Sequence, residues 1–387
     1  MLRLAIALFL VQAGFHGYTA SLPLALSRTG VAAPEIGLIV GVAPLLIVIG
    51  TLATGPLIDR LGALRMFGVG AAAYVLGAAI LAVPALQDAG ASWPFVLARI
   101  LQGAGYAAAA PAVLSVVPAM VPPKRQGVAL AVAGTAQTLT LVVLPPLSIA
   151  ALDIGGLQAV AVLVAACIAA AVLLMRTVRL PARAAQAAGA RRFGVSFRRA
   201  WAIPLLVMFL YTIHWGVAVA YVPARADAVG ANVGLFFVVD GILVVLFRIP
   251  SGWLADRFPS GRLVLIGLGL TSIAIVLLVQ SPTTLLLALA GGFLGAGAGF
   301  LSTPLLVELG RRSSASNRGS AFALYSAAIA GAHATGSIVA APLVALAGFE
   351  AAILFAGIGV LFAAALTLSD EGLRRRGAQA WQGEPVQ

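Results

Sequence analysis

The sequence predicts an all-α integral membrane protein built from two similar six-helix halves. The first observation behind this is composition. Of the 387 residues 61% are hydrophobic, 9% are charged, and mean hydropathy is +1.07, whereas water-facing domains carry about 25% charged residues. The second is a repeat. Gly55 to Arg65 reads GPLIDRLGALR and Gly252 to Arg262 reads GWLADRFPSGR. Gly55/Gly252, Asp59/Asp256, Arg60/Arg257 and Arg65/Arg262 all stand 197 positions apart. Each copy lies between long apolar runs, where a short polar turn is expected.

Spanning a bilayer takes about 20 mostly apolar residues. Twelve runs qualify: 4–26, 35–55, 66–86, 93–118, 127–150, 157–176, 201–223, 232–251, 262–280, 284–307, 319–345 and 350–368. Backbone groups in lipid must be satisfied internally, so runs of this length are helices. The 43 glycines suit close helix–helix approach, and Pro23, Pro111 and Pro223 are expected to kink their helices. The expected domains are 1–176 (six helices), 177–200 (a cytoplasmic basic linker), 201–368 (six helices) and 369–387 (a cytoplasmic tail).

Lys and Arg set the orientation. Twenty of the 24 fall in one set of loops and ends, only Arg28 and Arg225 in the opposite set, and Arg99 and Arg248 lie inside spans. A multi-pass protein of the cell inner membrane with both termini cytoplasmic is expected. The net charge of +12 is thus a matter of topology, and no nucleic-acid partner is expected. The linker, rich in Arg and Ala and free of acids, reads as a tether or as a segment lying on anionic lipid.

Other functions drop out. The run from Leu4 to Leu26 is too long for a signal h-region. The single cysteine, Cys167, excludes an intrachain disulfide. No Gly-x-x-x-x-Gly-Lys-Ser/Thr loop is present, which argues against ATP-driven transport. Neither a nucleophile–base pair nor a metal cluster emerges from the spacing, so no enzyme, no metal and no cofactor is expected. Fainter correspondences join the halves: RQGVALAVAG from Arg125 with NRGSAFALYS from Asn317, GAGYAAAAP from Gly103 with GAGFLSTP from Gly297, and His16 with His214. Repeated halves are typical of secondary transporters, which bind substrate at the repeat interface near the bilayer midplane.

On these residues the chain resembles the major facilitator superfamily. GPLIDRLGALR is similar to its signature between helices two and three, of the form Gly-x-Leu-Ala-Asp-Arg-x-Gly-Arg-Lys. Gly55, Asp59, Arg60, Gly62 and Arg65 match, while Pro56 and Ala63 depart. GWLADRFPSGR resembles the weaker copy between helices eight and nine. ARILQGAGYAAAAP, with Arg99, Gln102, Gly103 and Gly105, resembles a helix-four motif of proton-coupled members. RIPSG, with Arg248, resembles bacterial efflux permeases of the arabinose-efflux and drug-exporter type. The antiporter Gly-Pro pair of helix five is missing, and Leu144-Pro145-Pro146 lies further along. The resemblance implies alternating access, with the Asp59 motif and its Asp256 counterpart as gates that hold the cytoplasmic side closed.

The candidate site lies deeper. Arg99 is a charge inside a span, costing at least about 2.5–3.5 kcal/mol, so it faces the bundle interior or snorkels to the outer interface. Inside, it lowers the proton affinity of a neighbour or binds an anionic group. Asp240 is the one acid clearly at depth and the first candidate for proton coupling, with Arg99 and His16 beside it. His16, His214 and His333 fall in spans one, seven and eleven, which border the central cavity in the resembled fold. Tyr18, Gln102, Tyr106, Gln137, Tyr211, Trp215 and Tyr325 complete an amphipathic binding set. The expectation is a monomeric secondary transporter, driven by the proton gradient, that exports small amphipathic compounds such as drugs or metabolites. The alternative is a proton symporter or uniporter importing an organic solute.

Overall fold

The structure is a computed structural model that describes residues 1–84, 92–122, 125–178, 197–255, 257–280, 283–314 and 317–374. Among these, every regular element is helical. The N-terminal half holds α1 (Leu2–His16), α2 (Ser21–Arg28), α3 (Ala33–Leu61), α4 (Ala63–Leu81), α5 (Trp93–Val116) and α6 (Gln126–Arg176). The C-terminal half holds α7 (Ala202–Asp227), α8 (Val233–Ala255), α9 (Ser260–Val279), α10 (Thr284–Arg311), α11 (Arg318–Ser369) and the short α12 (Glu371–Arg374).

Nine helical stretches among the described residues are long and apolar enough to cross a membrane. Two of them, Val132–Arg176 and Gly319–Ser369, have 45 and 51 residues, more than twice what one crossing needs. Gly155 and Gly156 in α6 and Gly348 in α11 leave helical φ/ψ, so each long helix is broken once. Nine fall short of the expected twelve; that count is reached only when both long helices are read as two crossings and α5, which is not among the nine, is added. Large apolar side chains point outward along the helices, among them Ile154, Ile249 and Leu361. Lipid tails solvate such a surface as well as a core would.

Two expectations need correction. The first run is not one helix: α1 stops at His16 and α2 starts at Ser21, with Tyr18 N–H bonded to Phe15 O and Thr19 N–H to His16 O. Nor is GPLIDRLGALR a turn. α3 continues through Leu61, and only Gly62 separates it from α4. Gly62 has φ +84° and ψ 149°, a region close to glycine-only that costs other residues about 1–3 kcal/mol, so the chain reverses on a single residue while Arg60 rides on the end of α3 and Arg65 on the start of α4. Likewise α8 carries Gly252 to Ala255. The predicted linker lies largely outside the described residues, as does the tail beyond Arg374. α5 and α7 run on through Pro111 and Pro223.

The halves meet along two seams. At Gly37 of α3 a Cβ would collide with the Tyr221 hydroxyl and the Ser337 carbonyl, and would lie 3.1 Å from Ala341 Cβ. At Gly241 of α8 it would lie 3.0 Å from Val142 N. Further along the second seam Arg248 donates to Thr138 Oγ1 at 2.9 Å. At one end the seam is latched. Arg28 donates to both oxygens of Asp227 in the opposite half, at 3.0 and 2.8 Å, and to Asp153 of its own half at 2.7 Å. The Arg28–Asp153 pair recurs 197 positions later as Arg225–Glu350, so the repeat extends to an ion pair inside each half. The position equivalent to Asp227 is Gly30. The cross-half bond therefore has no symmetric twin.

Candidate functional site

Between the halves, beyond the latch, lies a cavity of about 40 Å³. The N-terminal half contributes Phe15, His16, Tyr18 and Thr19 at the α1–α2 break, Val40 and Pro44 from α3, and Arg99 from α5. The C-terminal half contributes Trp215, Gly216 and Val219 from α7 and His333 and Ser337 from α11. Five predicted residues meet here: His16, Tyr18, Arg99, Trp215 and His333.

Arg99 is 4% exposed and does not snorkel. Pro44 has no N–H, so the Val40 carbonyl four residues earlier lacks its helical donor. Arg99 Nη2 donates to that carbonyl at 2.7 Å, Nε to Ile39 O at 3.3 Å, and Nη1 to Gln102 Oε1. Gln102 Nε2 then donates to Gly14 O at 2.9 Å, whose helical donor Tyr18 N–H turns to Phe15 O instead, and to Phe15 O itself at 3.2 Å. One residue pair of α5 thus repairs a proline defect in α3 and a helix end in α1.

A second network surrounds His16. Gln12 Nε2 faces His16 Nε2 at 3.2 Å, and His16 Nδ1 faces Thr140 Oγ1 at 2.6 Å. Thr140 donates to Gln137 O at 2.5 Å, while Gln12 Oε1 accepts from Tyr106 O–H at 2.7 Å and Gln137 Nε2 at 3.4 Å. One assignment satisfies every member: a neutral imidazole with its proton on Nδ1. Gln12 and Thr140 are missing from the sequence reading. Gln12 stands one helical turn before His16, on the same face, which was the available signal.

The remaining candidates lie inside the C-terminal half. His214 bonds Tyr211 O and meets the Tyr211 ring edge-on at 4.9 Å. Asp240 is 3% exposed and lies within electrostatic reach of Tyr211. Among the described residues no basic side chain pairs with it. Its backbone touches Gly295 of α10 so closely that a Cβ there would lie 2.8 Å from Asp240 C. Tyr325 donates to Ser302 O at 2.9 Å, and Trp215 stacks on Phe236 at 6.3 Å. Tyr211, His214, Asp240 and Tyr325 do not line the cavity. Among the described residues no three His, Cys, Asp or Glu side chains cluster as metal ligands.

The family model of the Major Facilitator Superfamily matches residues 4–232 and again 205–385. The chain belongs to the major facilitator superfamily. Solved structures agree on the fold of this superfamily member. A crystal structure of the nucleoside transporter NupG aligns with TM-score 0.76 at 14% identity, covering 95% of this chain and 98% of that one. A D-xylose-proton symporter aligns with TM-score 0.78 at 18% identity, covering 95% and 97%. The chain is thus an all-α, multi-pass membrane transporter.

The superfamily signature is only partly visible. The side chain of Asp59 and the whole of Asp256 lie outside the described residues. Arg60, Arg65, Arg257 and Arg262 are exposed, and Arg257 sits over the Trp253 ring at 3.7 Å. Gly55 has open space around its Cα. At Gly252 a Cβ would make ordinary contact with Thr303 at 3.6 Å.

Proposed function

We propose that this superfamily member is a proton-coupled secondary transporter that exports small amphipathic organic compounds by alternating access. The observation that carries the reading is the cavity, walled by both halves and latched on one side by Arg28 and Asp227. Parting the halves at either end exposes such a site to one side at a time. With the termini cytoplasmic, as the Lys and Arg distribution indicates, the latched end faces outward. The halves then correspond to 1–176 and 201–368, tethered by the basic linker in the inner membrane, and the chain works as a monomer. Asp59 and Asp256 act as cytoplasmic gates. Asp240, buried without a basic partner among the described residues, carries the coupling proton.

Purified protein in proteoliposomes with a lumenal pH dye tests this, whichever way the protein inserts. Solute added outside alkalinises the lumen in an exchanger, because protons leave as solute enters. Acidification of the lumen means symport and replaces export with import. Asp240→Asn is expected to abolish the pH response while leaving solute exchange at equal pH. Retention of pH-driven flux removes Asp240 from coupling. Asp59→Asn is expected to change labelling of cytoplasmic cysteines, and an unchanged pattern removes the gate.

A further inference from the structure

Among the described residues Arg99 is the only formal charge lining the cavity. Its three hydrogen bonds all go to neutral acceptors, Ile39 O, Val40 O and Gln102 Oε1. A guanidinium has five N–H donors and stays protonated in proteins, so two donors are left over and the charge meets the face of the Phe15 ring, 5.8 Å away, but no anion. Among the described residues no carboxylate offsets it. Asp153 and Asp227 are held by Arg28, Glu350 by Arg225, and Glu308 and Asp370 by Arg312. Asp240 lies in the other half and outside the cavity wall.

A second observation is independent of charge. The Tyr18 hydroxyl is buried and has no hydrogen-bond partner. It belongs to the same cavity wall and lies within electrostatic reach of Arg99. A buried hydroxyl left unbonded costs about as much as a lost hydrogen bond. The rest of the wall is mixed: Phe15, Val40, Pro44, Val219 and Trp215 are apolar or aromatic, while Thr19, Ser337 and the two histidines are polar. The histidines add no charge of the opposite sign.

We propose that the solute is a small organic monocarboxylate, its carboxylate held by Arg99 and Tyr18 and its apolar body lying against Phe15 and Trp215. This rests on the cavity being the transport site. One excess positive charge calls for one negative charge. The two spare N–H groups of a planar guanidinium match the two oxygens of a carboxylate, and the Tyr18 O–H adds a third donor. A cation would place two positive charges in a low-dielectric site, and a neutral polyol would leave the guanidinium charge unmatched. At about 40 Å³ the cavity has room for about three waters, so the solute enters when the halves part.

The test uses the full chain in nanodiscs and calorimetric titration with phenylacetate, 4-phenylbutyrate and octanoate. Each acid is matched with its primary amide and with the amine of the same skeleton. At least one acid is expected to bind ten times or more tightly than its amide and amine. Arg99→Lys is expected to abolish that preference. Because Arg99 also repairs the proline defect in α3, Tyr18→Phe serves as the milder variant. It is expected to weaken acid binding about tenfold, the scale of one hydrogen bond to a charged group, and amide binding by less. The assignment is overturned if amides or amines bind as well as acids, if none of the nine compounds binds, or if Tyr18→Phe leaves acid affinity intact. Proteoliposome flux separates this from the reading it rests on. Gradient-driven movement of amines or amides alone sinks the carboxylate and leaves transport standing. Acids that bind but are moved by no gradient sink transport and leave the binding site.

Discussion

The Val40 carbonyl has lost its helical donor to Pro44, and an arginine from another helix supplies the missing N–H. This makes the two residues energetically dependent on each other. Arg99→Ala is expected to destabilise the protein, and much less so in a Pro44→Ala background, where the helical donor returns. A double-mutant cycle read by thermal unfolding should show a coupling of about 1–2 kcal/mol; additive effects would refute the dependence. Residue by residue, the sequence made the cavity partly legible. Arg99 and the histidines stood out because a polar group in an apolar run must have a partner or a purpose. Pro44 did not stand out, although a proline four residues after Val40 announces a free carbonyl. Gln12 and Thr140 escaped because amides and hydroxyls satisfy themselves in many helices, so their alignment on His16 needed the tertiary packing of α1 on α6. Asp240 was legible as buried; its separation from the cavity was not, since hydropathy fixes depth and leaves rotation about the helix axis open.

Among elements, α3 shows where hydropathy reading stops. Apolar runs report what lipid or protein covers, whereas a helix ends where its hydrogen bonds end. α3 therefore runs six residues past the expected Gly55 boundary to Leu61, and the two long helices leave helical angles at Gly155, Gly156 and Gly348. The same helix sets the distance between the halves. Gly37→Val has no space toward Tyr221, Ser337 and Ala341. It is expected to wedge the latched end apart and raise labelling of a cysteine placed at Thr19 from that side several-fold. Unchanged labelling would mean that the seam yields without opening. Gly62→Ala is expected to lower stability by about 1–3 kcal/mol through its backbone angles of φ +84° and ψ 149° alone, with no change in labelling.

For the whole molecule, the repeat proved deeper than the charged loops that first revealed it. Arg28–Asp153 and Arg225–Glu350 are one ion pair in two copies, and the position equivalent to Asp227 is Gly30. Asp227→Asn is expected to favour the state open at that end about two- to fivefold, the scale of a solvent-exposed pair with side chains 36–40% exposed. Double electron–electron resonance between labels on the two halves would read it, and an unchanged distance distribution would rule the latch out. Acid stability belongs to another corner. Arg312 holds Asp370 at 2.7 and 2.9 Å, and that hydrogen bonding lowers the carboxyl below its usual range. A depressed carboxyl stabilises fully above the unfolded value of about 4 and loses that contribution as pH falls through the folded value. Asp370→Asn should therefore flatten the acid limb of the unfolding curve below about pH 4 and do nothing to its pH dependence near 7. The latch has one more property. Arg28 keeps Asp153 when Asp227 departs, so separating the halves strips one carboxylate and never the guanidinium. The released carboxylate is already more than a third exposed and moves into water, where hydration replaces most of what it loses. Such a clasp opens on a small barrier that dissolved salt lowers further, and it leaves the cation in place as the template on which the same clasp closes again.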